Sequence, residues 1–231
     1  MRFTRDVPSE EARAWNREYA SGRYQGDPPI SFVDGILSAA EVAGLCHGPG
    51  LYIGCGNGRN YGPLVLGGLD LVGLDVSEVA LNQLARLMPE RAGRLVCGDL
   101  SALRADAHHA IVIGIQVFQH GDRRRTHEHI RAAQLRVASK GLMCVRVNAA
   151  GTDVVLRHDI VEEAENGGRT VRYLEGPKRG LEVHFFSEAE LTALFADRFG
   201  PVGGLRRSVQ HRDDAAGSQW SQWEGIWRRD A

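Results

Sequence analysis

Short apolar runs alternate with polar stretches along the middle of this 231-residue chain. The runs are LYIG (51–54), LDLVGLD (69–75), RLVCGD (94–99), AIVIGIQVF (110–118) and LMCVRVN (142–148). Continuous apolar runs of this length are typical of strands that are buried on both faces, and the stretches between them are long enough for helices. The sequence therefore predicts an α/β fold with a doubly wound parallel sheet, in which ligands bind at the carboxyl ends of the strands.

The stretches between the runs predict the helices. Residues 77–88 place apolar side chains on one face, with Ser77 as N-cap. Residues 122–140 are polar on one side and are predicted to form a helix that ends at Gly141. The tail, with Trp220, Trp223 and Trp227, fits either two closing strands or a helix, because its aromatic spacing suits both.

Two segments lie outside this alternation and suggest the domain organisation. Residues 1–44 are predicted to be an N-terminal helical lid, and residues 45–231 are predicted to form one main domain. Within that domain, residues 149–184 contain strand-like pieces around the turn signals Asn166-Gly167-Gly168 and Gly176-Pro177. We expect an inserted hairpin there that contributes to substrate binding.

Composition excludes some partners. The net charge is −1, so no basic excess calls for nucleic acid or an anionic membrane surface. The four cysteines form no C-x-x-C pair and are expected to be reduced thiols. The N-terminus has no apolar signal region and no run approaches membrane-spanning length, so a cytoplasmic location is expected.

The densest motif is the glycine loop after the first run, IGCGNGRN, with Gly54, Gly56 and Gly58. Backbone N–H groups at a turn between strand and helix can point at a ligand, and glycine permits its close approach. The spacing lacks the third glycine of a dinucleotide fingerprint and the Lys-Ser/Thr of a P-loop. Asp75 ends the next run, 17 residues after Gly58, where a carboxylate can accept both hydroxyls of a ribose. Capping of the helix that starts near Ser77 is the alternative, and it is compatible with ribose binding.

With these motifs the chain resembles the class I S-adenosylmethionine-dependent methyltransferases. The resemblance covers roughly residues 48–148 and rests on IGCGNGRN (53–60), GLDVSEVAL (73–81), VCGDL (96–100), IQVFQH (115–120) and SKGLMCVRVN (139–148). It implies a Rossmann-like seven-stranded sheet with helices on both faces and an antiparallel last strand, so that the tail would form strands. It also implies S-adenosyl-L-methionine as cofactor and S-adenosyl-L-homocysteine as product.

The resemblance also implies roles for single residues. The three glycines would line the methionine part of the cofactor, Asp75 would hold the ribose with Val76 beside it, and Gln116 would flank the sulfonium. At the adenine edge the resemblance places Asp99 and Leu100. The family usually has an acidic residue two positions before the first glycine, where this chain has Tyr52. Another group is therefore expected to bind the cofactor's amino group.

Candidates for catalysis and substrate binding follow the fourth and fifth runs. His120 is the best-placed general base, because imidazole titrates near neutral pH; packing on the cofactor is the alternative. Tyr24 is predicted to close over the cofactor, as an aromatic face suits a sulfonium; packing of the N-terminal helix on the core is the alternative. The predicted substrate residues are Trp15, Arg146, Asn148 and His184. For Arg146, a buried ion pair is the alternative.

No metal site is predicted, because His127-Glu128-His129 does not place two ligands on one helical face. The expected activity is methyl transfer to a small molecule through a thiol or chalcogen, a hydroxyl or an amine, in secondary metabolism or detoxification. Three alternatives stay open: a tRNA methyltransferase of the wobble-uridine type, a nicotinamide-dependent reductase and a non-catalytic regulatory protein that binds the same cofactor. The balanced charge disfavours the first, and the glycine spacing disfavours the second.

Overall fold

The chain folds into alternating helices and strands in the computed structural model, which describes residues 9–214 and 217–231. Within these residues, the α-helices are α1 (Glu10–Ala20), α2 (Phe32–Val42), α3 (Tyr61–Leu66), α4 (Glu78–Leu87), α5 (Arg123–Gln134) and α6 (Glu188–Phe195). Short 3₁₀ helices cover Pro89–Arg94 and Leu100–Ala102. None of the described helices is long and apolar enough to cross a membrane.

The strands form two sheets. They are β1 (Pro49–Ile53), β2 (Asp70–Asp75), β3 (Leu95–Cys97), β4 (His109–Ile115), β5 (Val137–Asn148), β6 (His158–Glu163), β7 (Arg169–Tyr173), β8 (Glu182–Phe185), β9 (Phe199–Pro201), β10 (Arg206–His211) and β11 (Gln219–Arg229). The large sheet has the order β10-β11-β5-β4-β1-β2-β3, and β9 also pairs with β11. The small sheet has the order β6-β7-β8.

The doubly wound α/β fold predicted from the apolar runs is confirmed. Strand β1 pairs in parallel with both β2 and β4, so the winding reverses beside β1. Strand β11 runs antiparallel to β10 and β9, which confirms the antiparallel late strand and shows that the tail is extended and not helical. Among the residues that the structure describes, seven strands lie on the main path of the large sheet, and the short β9 makes the eighth.

The chain divides into two compact units. The first contains residues up to Gly114 together with Arg136–Leu142, and the second contains Ile115–Leu135 and Met143–Ala231. The core of the first unit has fully buried apolar side chains from its helices and strands, among them Ile36, Leu51, Leu64, Leu71, Leu74 and Leu81. In the second unit, Phe195 and Trp227 stack at 3.9 Å between ring centroids, and Val171, Val183 and Phe185 form a separate cluster.

One predicted helix boundary is wrong. The helix expected over residues 122–140 ends at Gln134, and β5 already begins at Val137. Val137 is fully buried, and the carbonyl of Arg136 accepts a hydrogen bond from the N–H of His109 at 2.8 Å. Pairing with neighbouring chain therefore overrides the helical pattern, and Gly141 lies inside the strand, next to Lys140 with a φ of 60°.

The strand-like pieces in residues 149–184 do form a hairpin, β7 with β8, but β6 adds a third strand. The segment HDIVEE of β6 was not predicted as a strand, because β6 is mostly exposed and has no long apolar run. Both turn signals lie at the ends of β7, as expected. The functions of this segment and of the N-terminal helices as insert and lid stay predictions.

Candidate functional site

The glycine loop follows β1 and has a backbone that other residues adopt with difficulty. Gly54, Gly56 and Gly58 have φ values of 70°, 55° and 96°. A Cβ at Gly58 would lie 2.5 Å from Cδ1 of Leu84, and a Cβ at Gly56 would collide with the hydroxyl of Tyr19. Glycine is therefore required both by the turn and by the close approach of neighbouring side chains.

Asp75 ends β2 and holds the loop. Its Oδ2 accepts a hydrogen bond from the N–H of Gly56 at 2.8 Å, and its Oδ1 accepts one from the N–H of Ser77 at 2.8 Å. Burial raises the pKa of this carboxyl from 3.8 to about 6, against the lowering effect of the two N–H donors, and Glu11 raises it further. The carboxylate thus bridges the glycine loop and the N-terminus of α4.

The donor set around Asp75 fits a bound ribose. Within the described part of the chain, its partners are backbone N–H groups and no cationic side chain bonds it. Each carboxylate oxygen can accept a further hydrogen bond, so two hydroxyls would stabilise the ionised form that burial disfavours. Gly56, whose N–H bonds Asp75, leaves no room for a side chain of its own, because the ring of Tyr19 lies against it. These residues therefore fit an adenosine-type cofactor.

The residues predicted for the adenine edge follow β3. Asp99 caps the 3₁₀ helix at Leu100–Ala102, because its Oδ1 accepts from the N–H and the hydroxyl of Ser101 at 2.8 and 2.6 Å. Asp99 is exposed and Leu100 is buried. Val76, directly after Asp75, is half-buried. Since these three residues follow neighbouring strands β2 and β3, they lie at the same edge of the sheet.

Helix α1 packs against the glycine loop and α4. Oδ1 of Asn16 accepts hydrogen bonds from the hydroxyl of Ser77 at 2.8 Å and from the N–H of Val79 at 3.2 Å, which satisfies the first turn of α4. The carbonyl of Tyr19 accepts from Nε2 of Gln83 at 3.0 Å. Burial and the nearby Asp75 carboxylate raise the pKa of Tyr19 well above its usual range. No role was predicted for Asn16 from the sequence. The only feature that could have indicated one is its position as a polar residue between Trp15 and Tyr19.

The other aromatic residues near α1 form a chain of ring contacts. The rings of Trp15 and Tyr19 are 6.1 Å apart, and those of Tyr19 and Tyr24 are 6.3 Å apart. Tyr24 has a φ of 59°, and its ring is flanked by the guanidinium groups of Arg23 at 4.8 Å and Arg59 at 5.6 Å. The structure thus places the predicted cofactor residue Tyr24 and the predicted substrate residue Trp15 in one aromatic group.

Tyr52 is a core residue. Its side chain is buried, and its ring lies 6.4 Å from the ring of Tyr61. The position two before Gly54 therefore supplies packing in place of the acidic group that the family usually has there.

In the second unit, Gln116 and His120 follow β4. Gln116 has a φ of 58°, and its N–H donates to the carbonyl of Arg146 at 2.7 Å. Nε2 of His120 lies 3.1 Å from the carbonyl oxygen of Gln116. A carbonyl can only accept, so Nε2 carries the proton and Nδ1 is the basic nitrogen of the neutral ring. Strand β4 therefore ends in a strained turn that fixes the orientation of the imidazole.

Asn148 ends β5 among buried polar groups. Its Oδ1 accepts from Nε1 of Trp220 at 3.1 Å and from Nε2 of Gln222 at 3.4 Å, and its N–H donates to Oε1 of Gln119 at 2.9 Å. Among the described residues, Oε1 of Gln222 is buried and has no donor. Sequence reasoning missed Gln119 and Gln222, because nothing in the order of residues shows that they meet Asn148.

The two remaining predicted substrate residues are held by carboxylates. Nε of Arg146 donates to Oε1 of Glu224 at 2.9 Å, and both side chains are buried. The ion pair weighed as the alternative for Arg146 is therefore present. His184 is fully buried, with Nδ1 at 2.9 Å from the hydroxyl of Thr170 and Nε2 at 3.0 Å from a carboxylate oxygen of Glu190. A substrate contact by either residue stays a prediction.

A protein-family model matches part of the chain in sequence, and solved structures match its fold. Residues 51–145 match the family model described as "Methyltransferase domain". This matched stretch is a class I S-adenosylmethionine-dependent methyltransferase domain. The match covers β1 to β5 and includes the glycine loop and Asp75. The protein is thus an enzyme of this family, and its cofactor is S-adenosylmethionine. No curated protein matches the chain in sequence.

Solved methyltransferases share the fold at low identity. TehB from Haemophilus influenzae is 17% identical, with a TM-score of 0.63, over 94% of this chain and 67% of its own. The 1,6-didemethyltoxoflavin-N1-methyltransferase of Burkholderia thailandensis was solved with 1,6-didemethyltoxoflavin and S-adenosylhomocysteine. It is 16% identical, with a TM-score of 0.63, and the match covers 100% of this chain and 94% of that enzyme. The N-methyltransferase NodS from Bradyrhizobium japonicum, in complex with S-adenosylhomocysteine, is 14% identical, with a TM-score of 0.59. That match covers 96% of this chain and 100% of NodS.

Proposed function

We propose that this methyltransferase acts on a small molecule that carries a nucleophilic sulfur, oxygen or nitrogen, in secondary metabolism or detoxification. The observation that carries the proposal is the buried polar group at the end of β5, where Oε1 of Gln222 lacks a donor beside Asn148. A single N–H or O–H of a small acceptor would satisfy it. The near-neutral charge of the chain and the small molecule bound to the Burkholderia enzyme support the same conclusion.

Residues of this chain would bind the cofactor, position the acceptor and remove its proton. Gly54, Gly56 and Gly58 would bind the cofactor through their backbone, and Asp75 would orient its ribose. The bound cofactor supplies an electrophilic methyl group. Asn148 would position the acceptor, and Nδ1 of His120 would take the proton from an alcohol or amine. Alignment of acceptor and methyl group without a covalent intermediate is sufficient for such a displacement.

The acceptor is tested by offering thiols, phenols and amines with a radiolabelled methyl donor to the purified chain. We expect transfer to at least one of these classes. Transfer to tRNA alone, with RNA binding that weakens steeply as salt rises, would favour the tRNA alternative. Cofactor binding without transfer to any of these compounds would favour a regulatory protein.

The base is tested by a pH–rate profile of His120→Ala against the wild type, with the acceptor found above. We expect the variant to lose roughly 100-fold in kcat on a hydroxyl or amine acceptor, because general bases contribute on that order. An acidic thiol should depend on His120 much less. A variant that keeps both the rate and the pH profile on an alcohol would remove the base from the mechanism.

We also propose that the enzyme works in the cytoplasm, as the cysteine content suggests. Cys46, Cys55, Cys97 and Cys144 are free thiols in the structure, and Cys55 and Cys144 are buried. Burial raises the pKa of both buried thiols, which keeps them protonated and unreactive.

A further inference from the structure

A second polar cluster lies within the second unit. The roles given under the proposed function use none of its members, although the sequence also predicts a substrate contact for one of them, His184. The cluster contains His127 on α5, His184 on β8 and Glu190 on α6, and it is called the His-Glu cluster below. Nε2 of His127 lies 2.7 Å from Oε1 of Glu190, and Nε2 of His184 lies 3.0 Å from Oε2. One ligand atom from each residue lies within 4.8 Å of the others.

We propose that the His-Glu cluster binds a divalent transition-metal ion, with Zn²⁺ as the best fit. Two imidazole nitrogens and one carboxylate oxygen are a ligand set that Zn²⁺ uses, with a fourth position left for water. Ligand atoms of a tetrahedral zinc site lie roughly 3 Å apart, given metal–ligand bonds of about 2.0–2.2 Å. The two contacts of Glu190, at 2.7 and 3.0 Å, are close to this spacing. The three ligand atoms together lie within 4.8 Å, so the side chains would have to move closer to one another around the ion.

The surroundings already fix the ligands. Glu190 is held at the start of α6, where its N–H donates to the hydroxyl of Ser187 at 3.1 Å, and Gly168 leaves the space that its carboxylate occupies. The hydroxyl of Thr170 lies 2.9 Å from Nδ1 of His184. With a metal on Nε2, the Nδ1–H of His184 would donate to that hydroxyl, which is the outer contact that metal-bound histidines generally make.

The electrostatics of the cluster suit a cation and also identify a competitor. Hydrogen bonds from His127 and His184 hold the pKa of Glu190 well below its usual range against the effect of burial, so its carboxylate is ionised at neutral pH. Nε of Arg123 donates to Oε1 of Glu190 at 2.7 Å and occupies one of the positions that a metal would need. Nη1 of Arg123 also lies 3.7 Å from Glu162, and the side chain is 34% exposed. The guanidinium can therefore move to Glu162 when a metal binds.

The ligands are far apart in the sequence, which explains why the pattern His127-Glu128-His129 predicted no metal site. Its second histidine, His129, makes an edge contact with Phe118 at 5.1 Å. The partners of His127 come from β8 and α6.

The proposal is tested by titrating Zn²⁺ into the purified, tag-free chain in a calorimeter and by recording the visible spectrum with Co²⁺. We expect one ion per chain and the absorption bands of tetrahedral Co²⁺. His127→Ala, which removes the ligand that is partly exposed, should weaken binding at least roughly tenfold and remove the bands, whereas the exposed His211→Ala should change neither. Arg123→Gln should strengthen binding about tenfold, because it removes the competing cation.

A cluster that serves only as a salt bridge gives a different set of results. It predicts that neither the wild type nor Arg123→Gln binds Zn²⁺ in a one-to-one ratio, and that Arg123→Gln only lowers stability. Binding by His127→Ala equal to that of the wild type would also overturn the proposal. Methyl transfer plays no part in these measurements, so they stand or fall separately from the proposed function.

Discussion

At the scale of single residues, Asp75 is the group on which the cofactor assignment depends most. Its side chain is buried, it bonds the N–H groups of Gly56 and Ser77, and its pKa is raised to about 6 by burial. In the absence of ligand, burial disfavours the ionised form of this carboxyl, and hydrogen bonds from the hydroxyls of a bound ribose would offset that free-energy cost.

This raised pKa leads to a pH-dependent affinity. Ribose hydroxyls stabilise the ionised form, so affinity should rise as the pH passes upward through about 6 and should level off above 7. We expect S-adenosylhomocysteine to bind about tenfold more weakly at pH 5 than at pH 7.5, since roughly a tenth of the carboxyl is ionised at pH 5. Calorimetry at both pH values measures this.

Asp75→Asn is the control for that experiment. It keeps the shape of the side chain and cannot ionise, so its affinity should be nearly independent of pH over the same interval. A variant with the same pH dependence as the wild type would show that another group titrates.

Sequence reasoning identified residues that act locally and missed those that act across the fold. The glycines and Asp75 were predictable because a turn and a strand end impose their requirements on adjacent residues. Asn16, which caps α4, and Gln222, which meets Asn148, were not predictable, because each lies more than 60 residues from its partner. No local pattern encodes such a contact.

At the scale of elements, β5 and β11 carry a buried ion pair. Glu224 accepts from Arg146 at 2.9 Å and from Arg206 on β10 at 2.6 Å. The side chain of Arg146 is 4% exposed and that of Arg206 is 62% exposed, so the two cations differ in solvent screening although they share one carboxylate. Their contributions to the free energy of unfolding should therefore differ.

We expect Arg146→Met to lower the free energy of unfolding by about 3–5 kcal/mol, because it leaves the buried carboxylate with a single partner that is largely solvated. Arg206→Met should cost less than about 1 kcal/mol, as exposed ion pairs usually do. Urea unfolding of both variants, followed by circular dichroism, makes the comparison. Equal losses would mean that the burial of Arg146 has no energetic consequence.

The element boundaries were predicted where apolar periodicity and caps agreed, as for α4 with Ser77. The predicted boundaries were wrong where strand pairing in the folded chain overrode the local sequence pattern. The local sequence pattern predicted a helix between Gln134 and Gly141, but the buried Val137 in this stretch belongs to β5. The exposed strand β6 gave no signal, since only a buried face leaves alternation in a sequence.

At the scale of the whole molecule, the order β3-β2-β1-β4-β5-β11-β10 determines where chemistry can occur. The strand order reverses beside β1, and the glycine loop follows β1 at its carboxyl end. This topology was predictable from the alternation of runs and from the family resemblance. The identity of the methyl acceptor was not, because it depends on buried polar groups such as Asn148 and Gln222 that only the folded chain assembles.

The most direct test of the cofactor site is calorimetric titration of S-adenosylhomocysteine into the wild type, Asp75→Ala and Asp70→Ala at pH 7.5. Asp70 begins the same strand and bonds Arg91 and Arg94, so its loss leaves the glycine loop unchanged. We predict that Asp75→Ala weakens binding at least tenfold, about 1.4 kcal/mol, while Asp70→Ala binds like the wild type. Equal affinity for all three proteins would contradict the placement of the ribose at Asp75.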